Sequence, residues 1–318
     1  MLREFFLYLS QAAWAQRAVT GLWLGRKMAQ RFVAGSTIEE AISVLRGLNQ
    51  GGMFATLDFL GESVKTAEEA GRARDEYLLA LRHVEDSAVQ ANVSIKLTQF
   101  GLDIDPRLCT ENVLQVVERA RQSGTFVRID MEGTPHTDRT LAVVDELRRS
   151  SDWVGVVLQA YLYRSEQDLV RLTSEGTRIR LCKGAYQEPP DKAFPKKADV
   201  DANYVKLAQL LLQRSAQPGS PGAERDGRVP PLAALATHDE KMIAAAQAFA
   251  QAQGIDRRHF EFQMLFGIRR DLQESLVQAG YPVRIYVPYG THWYPYFMRR
   301  LAERPANVWF LLSNLLRR

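Results

Sequence analysis

Arg299 and Arg300 stand side by side in YPYFMRRLAERPAN near the C-terminus. Guanidinium forks match a carboxylate or a phosphate bidentately. Neighbours on a helix point about 100° apart, so both reach one small anion only if the helix end leans over it. A solvated basic pair beside Glu303 is the plainer reading of these residues alone. Lys96 and Asp130 are charges inside the apolar runs VSIKLT and FVRIDM. Burying a charge there is costly unless it is paired. The two read either as an ion pair or, for Lys96, as a Schiff-base amine.

RIRLCKGAY brings Arg180, Lys183, Gly184 and Ala185 to one cationic stretch. The glycine lets a ligand approach the backbone, which suits a phosphate or an electron-rich ring. ATHDE supplies Thr237 and His238, with Asp239 as a cap whose helix N-terminus would face an anion. That histidine has no HxH or HExxH spacing, so no metal site is expected. DIDP reads as Asp105 capping a helix with Pro106 at its first position, rather than as a metal motif. There is no G-x-G-x-x-G after a strand and no G-x-x-x-x-G-K-[ST]. A bound dinucleotide would therefore not be held in Rossmann fashion.

These residues need a scaffold that gathers them, and the chain supplies one. Short apolar runs end at or around Asp58, Lys96, Asp130, Gln159, Lys183, His238, Gln263 and Tyr286. Helical patterns follow over 65–90, 107–122, 138–150, 165–175, 199–216, 239–253, 268–279 and 292–316. The spacing of roughly 25–35 residues suits βαβ units. The runs are mostly continuous, as expected of strands buried on both faces. The pattern predicts an α/β fold, a (β/α)8 barrel over 51–318, whose chemistry lies at the C-terminal strand ends. Residues 1–50 predict extra N-terminal helices, one opened by the capping box Ser36-Thr37-Ile38-Glu39. QEPPDKAFPKKAD (187–199) lies on the catalytic face and reads as a lid or a loop over a ligand. QPGSPGAERDGRVPP (217–231) lies on the opposite face and reads as a tolerated surface insertion.

With 46% apolar and 25% charged residues the 318-residue chain is ordinary for a globular protein. A net charge of +4 from scattered residues leaves no nucleic-acid footprint. Cys109 and Cys182 read as free thiols in a reducing compartment. FFLYLSQAAWA (5–15) has features of a secretory signal, but Glu4 spoils its basic start and amphipathic patterning continues through Trp14, Leu22 and Met28. A helix that packs on the barrel or touches a membrane surface is the better reading. No stretch is long and apolar enough to span a membrane.

LDFLGE (57–62), SIKLTQFG (94–101), RIDME (128–132), LQAYL (158–162), RLCKGAYQEP (180–189), ATHD (236–239), FEFQMLFG (260–267), YVPYG (286–290) and YPYFMRRLAERPAN (294–307), taken in order, resemble the proline dehydrogenase family. The small size resembles its monofunctional bacterial form. The resemblance implies a distorted (β/α)8 barrel with FAD along the C-terminal face. It implies hydride transfer from C5 of L-proline to flavin N5, giving Δ1-pyrroline-5-carboxylate, the first step of proline catabolism. Electrons would pass to a quinone. Asp130 and Arg180 would be catalytic, with Arg180 near the flavin N5. Lys96, Asp130 and Tyr286 would line the substrate site, and Arg299 and Arg300 would clamp the proline carboxylate. Met131, Gln159, Arg180, Lys183, Gly184, Ala185, Thr237 and His238 would contact FAD. Glu62 would pair with Arg299 and close the site. The enzyme would be cytoplasmic, in transient contact with the inner membrane face, and coupled in function to a pyrroline-5-carboxylate dehydrogenase. The competing chemistry is a Schiff-base aldolase using Lys96 or Lys183.

Overall fold

The computed structural model describes residues 31–61 and 64–303, with 299–303 described as backbone only. Strands β1 (Phe54–Phe59), β2 (Ala91–Ile95), β3 (Val127–Ile129), β4 (Val154–Gln159), β5 (Ile179–Cys182), β6 (Ala233–Ala236), β7 (Phe260–Leu265) and β8 (Val283–Tyr289) form one closed barrel in chain order. Every neighbouring pair is parallel, and β1 closes on β8 from Phe54↔Arg284 to Phe59↔Tyr289. The expected (β/α)8 barrel is therefore the observed fold.

Helix α1 (Ile38–Gln50) precedes the barrel. A helix then follows each strand: α2 (Ala67–Asp86), α3 (Pro106–Gln122), α4 (Thr134–Arg148), α5 (Ser165–Ser174), α6 (Lys197–Ser215), α7 (Glu240–Ala252), α8 (Arg270–Gln278) and α9 (Trp293–Glu303). α2 shows why such segments are helical. Thr66 and Glu69 form a reciprocal capping box, and Ala70, Ala73, Tyr77, Ala80, Leu81 and Val84 recur at helical spacing on the buried face. Asp105 caps α3 with Pro106 in its first turn, as the sequence suggests. The box at α1 sits one residue later than expected: Thr37 is the cap and Glu40 its partner. Glu39 is one position too early to reach back, because the motif needs the third helical residue.

The strands also depart from the expectation of mostly continuous apolar runs. Side chains that meet inside the barrel are largely polar. Thr56 donates to Asn92 at 2.6 Å, and Arg284 and Glu261 form a fully buried pair at 2.7 Å. The intervening residues, such as Ala55, Leu57, Val93 and Ile285, belong to the apolar core. The runs are apolar towards the helices and polar towards the axis, where branched apolar side chains are the usual filling.

Residues 31–35 run along the β8 exit, with the Ala34 N–H donating to the Pro288 carbonyl at 2.8 Å and Gly290 to Gly35 at 2.9 Å. Phe32 and Val33 join Leu60, Ile268, Trp293, Phe297 and Met298 in a second apolar cluster that seats α9. Gly267 allows this approach: a Cβ there would lie 1.7 Å from the Arg31 carbonyl oxygen. Residues 1–30, where further helices are expected, lie outside the described residues.

Candidate active site at the barrel mouth

The ends of β1, β2, β3, β5 and β8 deliver one interlocked cluster. Lys96 caps a short 3-10 turn after β2, and its ammonium lies 3.0 Å from Asp58, 3.5 Å from Asp130 and 3.2 Å from the Tyr286 hydroxyl. Tyr286 donates to Asp130 at 2.7 Å. Arg180 reaches across the barrel to Asp130 at 2.8 Å and to Ser94 at 3.1 Å, and Ser94 donates to Asp130 at 2.7 Å. The guanidinium also lies 5.2 Å from the centre of the Tyr286 ring. The Lys96–Asp130 pair expected from neighbouring strands is present, but Asp58 is the nearer partner.

The two carboxyls are driven in opposite directions. Burial would raise Asp130, but Lys96, Arg180 and hydrogen bonds from Ser94 and Tyr286 outweigh it and hold the group below the usual carboxylate range. Burial also raises Asp58, the Asp130 charge adds to it, and there Lys96 and Tyr286 do not offset the two, so the carboxyl lies above its usual value. Burial, with Asp130 and Asp58 nearby, pushes the Tyr286 phenol well up, which keeps it a proton donor to Asp130.

The cluster forms the floor of a cavity of about 520 Å³. Its walls include Met131, Gln159, Lys183, Gly184, Ala185, Thr237 and His238, so the expected cofactor-binding residues share one space with the floor. Gly184 has φ +117°, and a Cβ on it would strike the Tyr161 ring at 2.5 Å. Gln159 donates to the Met131 carbonyl at 3.2 Å, while its own buried Oε1 has no hydrogen-bond partner among the described residues. His238 Nε2 accepts from the Leu265 N–H at 2.8 Å, so one ring nitrogen has a structural duty. Thr237 accepts from the Asp239 N–H at 3.1 Å. Asp239 is the cap of α7, as expected, but its carboxylate also takes Lys183 at 2.8 Å, and Asp201 takes it at 2.5 Å. The polar lining suits a large ring with an anionic tail: a guanidinium at the floor, and a buried amide oxygen and lysines at the wall.

The sequence reading missed Asp58 as a site residue, although it names it as a strand end. Lys197 also lines the cavity and pairs with Asp201, one helical turn along α6. The proline-rich stretch after β5 does lie at this face, but it is strapped down rather than hanging free. Glu188 accepts from the Thr134 N–H at 2.8 Å and from its hydroxyl, and Leu162 bridges to Ala193. Glu62 and the side chains of Arg299 and Arg300 lie outside the described residues. The backbone of α9 carries positions 299 and 300 one turn beyond Tyr296, which lines the cavity.

A sequence profile of the family described as proline dehydrogenase matches residues 41–312. The chain belongs to the proline dehydrogenase family. Proline dehydrogenase 2 of Bacillus subtilis is 39% identical over 313 residues, covering 98% of each chain. The proline dehydrogenase of Deinococcus radiodurans is 38% identical over 297 residues, covering 91% of this chain and 90% of that one. Among solved structures, proline utilization A from Bdellovibrio bacteriovorus, inactivated by N-propargylglycine, superposes with a TM-score of 0.78 at 27% identity. That match covers 88% of this chain and 33% of the other, so this chain spans about a third of it. The proline dehydrogenase expected from the motifs is borne out by these relatives, 38–39% identical across nearly all of their own length.

Burial pushes the Cys109 and Cys182 thiols up to about 12, and both are free. Among the described residues no helix is long and apolar enough to cross a membrane.

Proposed function

We propose that this chain oxidises L-proline to Δ1-pyrroline-5-carboxylate with FAD as its cofactor. Family membership carries the proline oxidation; the arrangement at the barrel mouth supports the finer reading. The observation that weighs most is the Lys96–Asp130–Arg180–Tyr286 cluster on the floor of a single large cavity. Bound flavin would supply the two-electron acceptor, at N5, for hydride from proline C5. Arg180, tied to Asp130, would hold positive charge beside the ring, where charge develops during reduction. Met131, Gln159, Gly184, Ala185, Thr237 and His238 would hold the cofactor, and Lys183 would face its anionic portion.

Arg299 and Arg300 would clamp the substrate carboxylate, with Glu62 pairing with Arg299 to close the site. Lys96, Asp130 and Tyr286 would then bracket the ring nitrogen and its neighbouring carbons. A quinone would take the electrons onward during contact with the inner membrane face of a cytoplasmic enzyme, and a pyrroline-5-carboxylate dehydrogenase would consume the product. Residues 1–50 would serve as the segment that packs on the catalytic barrel of 51–318.

The aldolase alternative needs a lysine amine set in an apolar pocket. Lys96 and Lys183 are each tied to two carboxylates instead.

The test is an absorbance spectrum of the purified protein followed by anaerobic L-proline. Flavin bands that bleach on proline are expected; a protein that takes up no FAD would overturn the reading. Arg300→Ala is expected to raise KM for proline strongly with FAD still bound. Loss of FAD at unchanged KM would remove Arg300 from the substrate clamp.

A further inference from the structure

Dissolved proline carries a secondary ammonium, which has no lone pair. Hydride can leave C5 only as nitrogen donates a pair to form C=N, so one N–H proton must go first. We propose that Asp58, reached through Lys96, stores that proton. The assignment rests on the proline-oxidation reading above.

The other groups on the cavity floor are poorly suited to the task. Asp130 already takes Arg180, Ser94, Tyr286 and Lys96, so a further proton would break an established set of bonds. The Tyr286 hydroxyl carries its own proton into its bond to Asp130. Asp58 differs. It lines the cavity beside Lys96 but is the more deeply buried of the two, with side-chain exposure of 1% against 11% for the lysine. Its Oδ1 meets the ammonium at 3.0 Å, and its Oδ2 is buried with no hydrogen-bond partner among the described residues. A buried ionised oxygen without donors is costly, whereas a carboxylic acid needs fewer donors.

The groups facing Asp58 are Lys96 after β2, Asp130 after β3, Tyr286 and Tyr289 on β8, and Tyr77 on α2. The Tyr77 hydroxyl is 3.4 Å from Oδ1 and gives its better bond to the Ser94 carbonyl at 2.8 Å, so it does little to satisfy a carboxylate. Lys96 is the only cation in that set. Burial already raises this carboxyl, which favours proton uptake.

The step balances simply. One N–H bond of the substrate breaks and one forms on Lys96, as Lys96 passes one of its protons to Asp58, forming an O–H bond. The Lys96–Asp58 pair gains one positive charge, and the substrate changes from zwitterion to anion. No electrons are exchanged until hydride leaves C5, and the stored proton returns to water when product departs.

Two measurements test this. The first is anaerobic flavin reduction by proline across pH in Asp58→Asn and Asp58→Glu. Asp58→Asn should slow reduction by about a hundredfold or more at neutral pH, within the span of general-base effects. The deficit should close at alkaline pH, where proline arrives as the free amine. Asp58→Glu should recover part of the rate. A neutral-pH rate equal to wild type, or a deficit constant across pH, would overturn the proposal. The second needs no turnover. Proline added to wild-type enzyme with its flavin already reduced should produce the infrared carbonyl stretch of a protonated carboxyl, and the ring-oxygen analogue of proline should not. Absence of that band would overturn the proposal even if Asp58→Asn fails to fold. Wild-type flavin that proline does not reduce would instead sink the underlying reading.

Discussion

At the mouth of the barrel, Asp58, Lys96, Asp130 and Arg180 satisfy one another mainly side chain to side chain, beside a cavity. At its base, Arg128, Arg178 and Arg284 are buried just as deeply, but each donates to main-chain carbonyls, with one carboxylate added at Arg178 and one at Arg284. Arg284 forms a bidentate pair with Glu261 at 2.7 and 3.0 Å, and donates to the carbonyls of Ala55 and Gly227. Arg178 donates to the carbonyls of Pro230, Asp152 and Gly222. Arg128 donates to those of Val156 and Arg178 and lies 5.0 Å from the centre of the Phe126 ring. Gly222, Gly227 and Pro230 belong to the loop expected to be a tolerated insertion. That expectation is corrected: the loop anchors Arg178 and Arg284. A cation held by carbonyls has one fixed place, whereas one held by titratable side chains can change its partners' protonation. The first arrangement builds; the second can react.

The ends are joined. Arg180 donates to the side-chain Oε1 of Gln263, and the Gln263 side-chain Nε2 donates to Glu261, the partner of Arg284. The guanidinium that faces the cavity is thus braced through the barrel axis.

The sharpest way to break the comparison is Glu261→Leu. It leaves Arg284 without its carboxylate in a fully buried place and should cost about 3–5 kcal/mol, read as a lowered urea midpoint. Asp130→Asn at the mouth should instead lower the rate of flavin reduction by about a hundredfold, with a smaller stability loss than Glu261→Leu. Equal stability losses would erase the distinction between the ends.

The base loop can be probed within itself. Gly227 has φ +82°, and a Cβ there would strike the Phe54 ring at 2.2 Å, whereas Gly219 has φ +81° with open space around it. Both substitutions by alanine carry the backbone strain, of about 1 kcal/mol. Only Gly227→Ala adds the clash, so its thermal midpoint should fall further. Matching shifts would mean that the loop yields, as the sequence alone suggests.

How much of this was legible follows from where the signals lie. Each strand end is marked by a polar residue closing an apolar run, so Asp58, Lys96, Asp130 and Tyr286 could be found in order. The Lys96–Asp130 pair needs only that neighbouring strands lie about 4.8 Å apart. Arg180 meeting Asp130 is different, because β5 and β3 are not neighbours and the contact depends on how the barrel closes. The anchored loop was illegible for a related reason. Its glycines and prolines describe local flexibility, while its fixing partners, Arg178 and Arg284, lie far away in sequence. The clamp at Arg299 and Arg300 and the gate at Glu62 came from family resemblance and not from residue pattern.

Acid supplies a gentler test of the mouth. Asp130 has its folded-state value depressed, so its stabilisation is complete above the unfolded value of about 4 and is lost as pH falls through the folded one. The stability gap between wild type and Asp130→Asn should therefore be constant from neutral pH to about 4 and narrow below it. A gap that began to close at neutral pH would mean that Lys96 and Arg180 do not hold Asp130 ionised in the folded state.

Glu224→Gln should have the smallest effect. Its carboxylate meets Arg178 at 2.7 Å but is 55% exposed, and exposed pairs contribute at most about 1 kcal/mol. Arg178 would keep the carbonyls of Pro230, Asp152 and Gly222. If carbonyls are what fix the base, urea unfolding of Glu224→Gln should nearly overlay wild type. A loss approaching that of Glu261→Leu would place the anchor in the ion pair, and the base would then resemble the mouth.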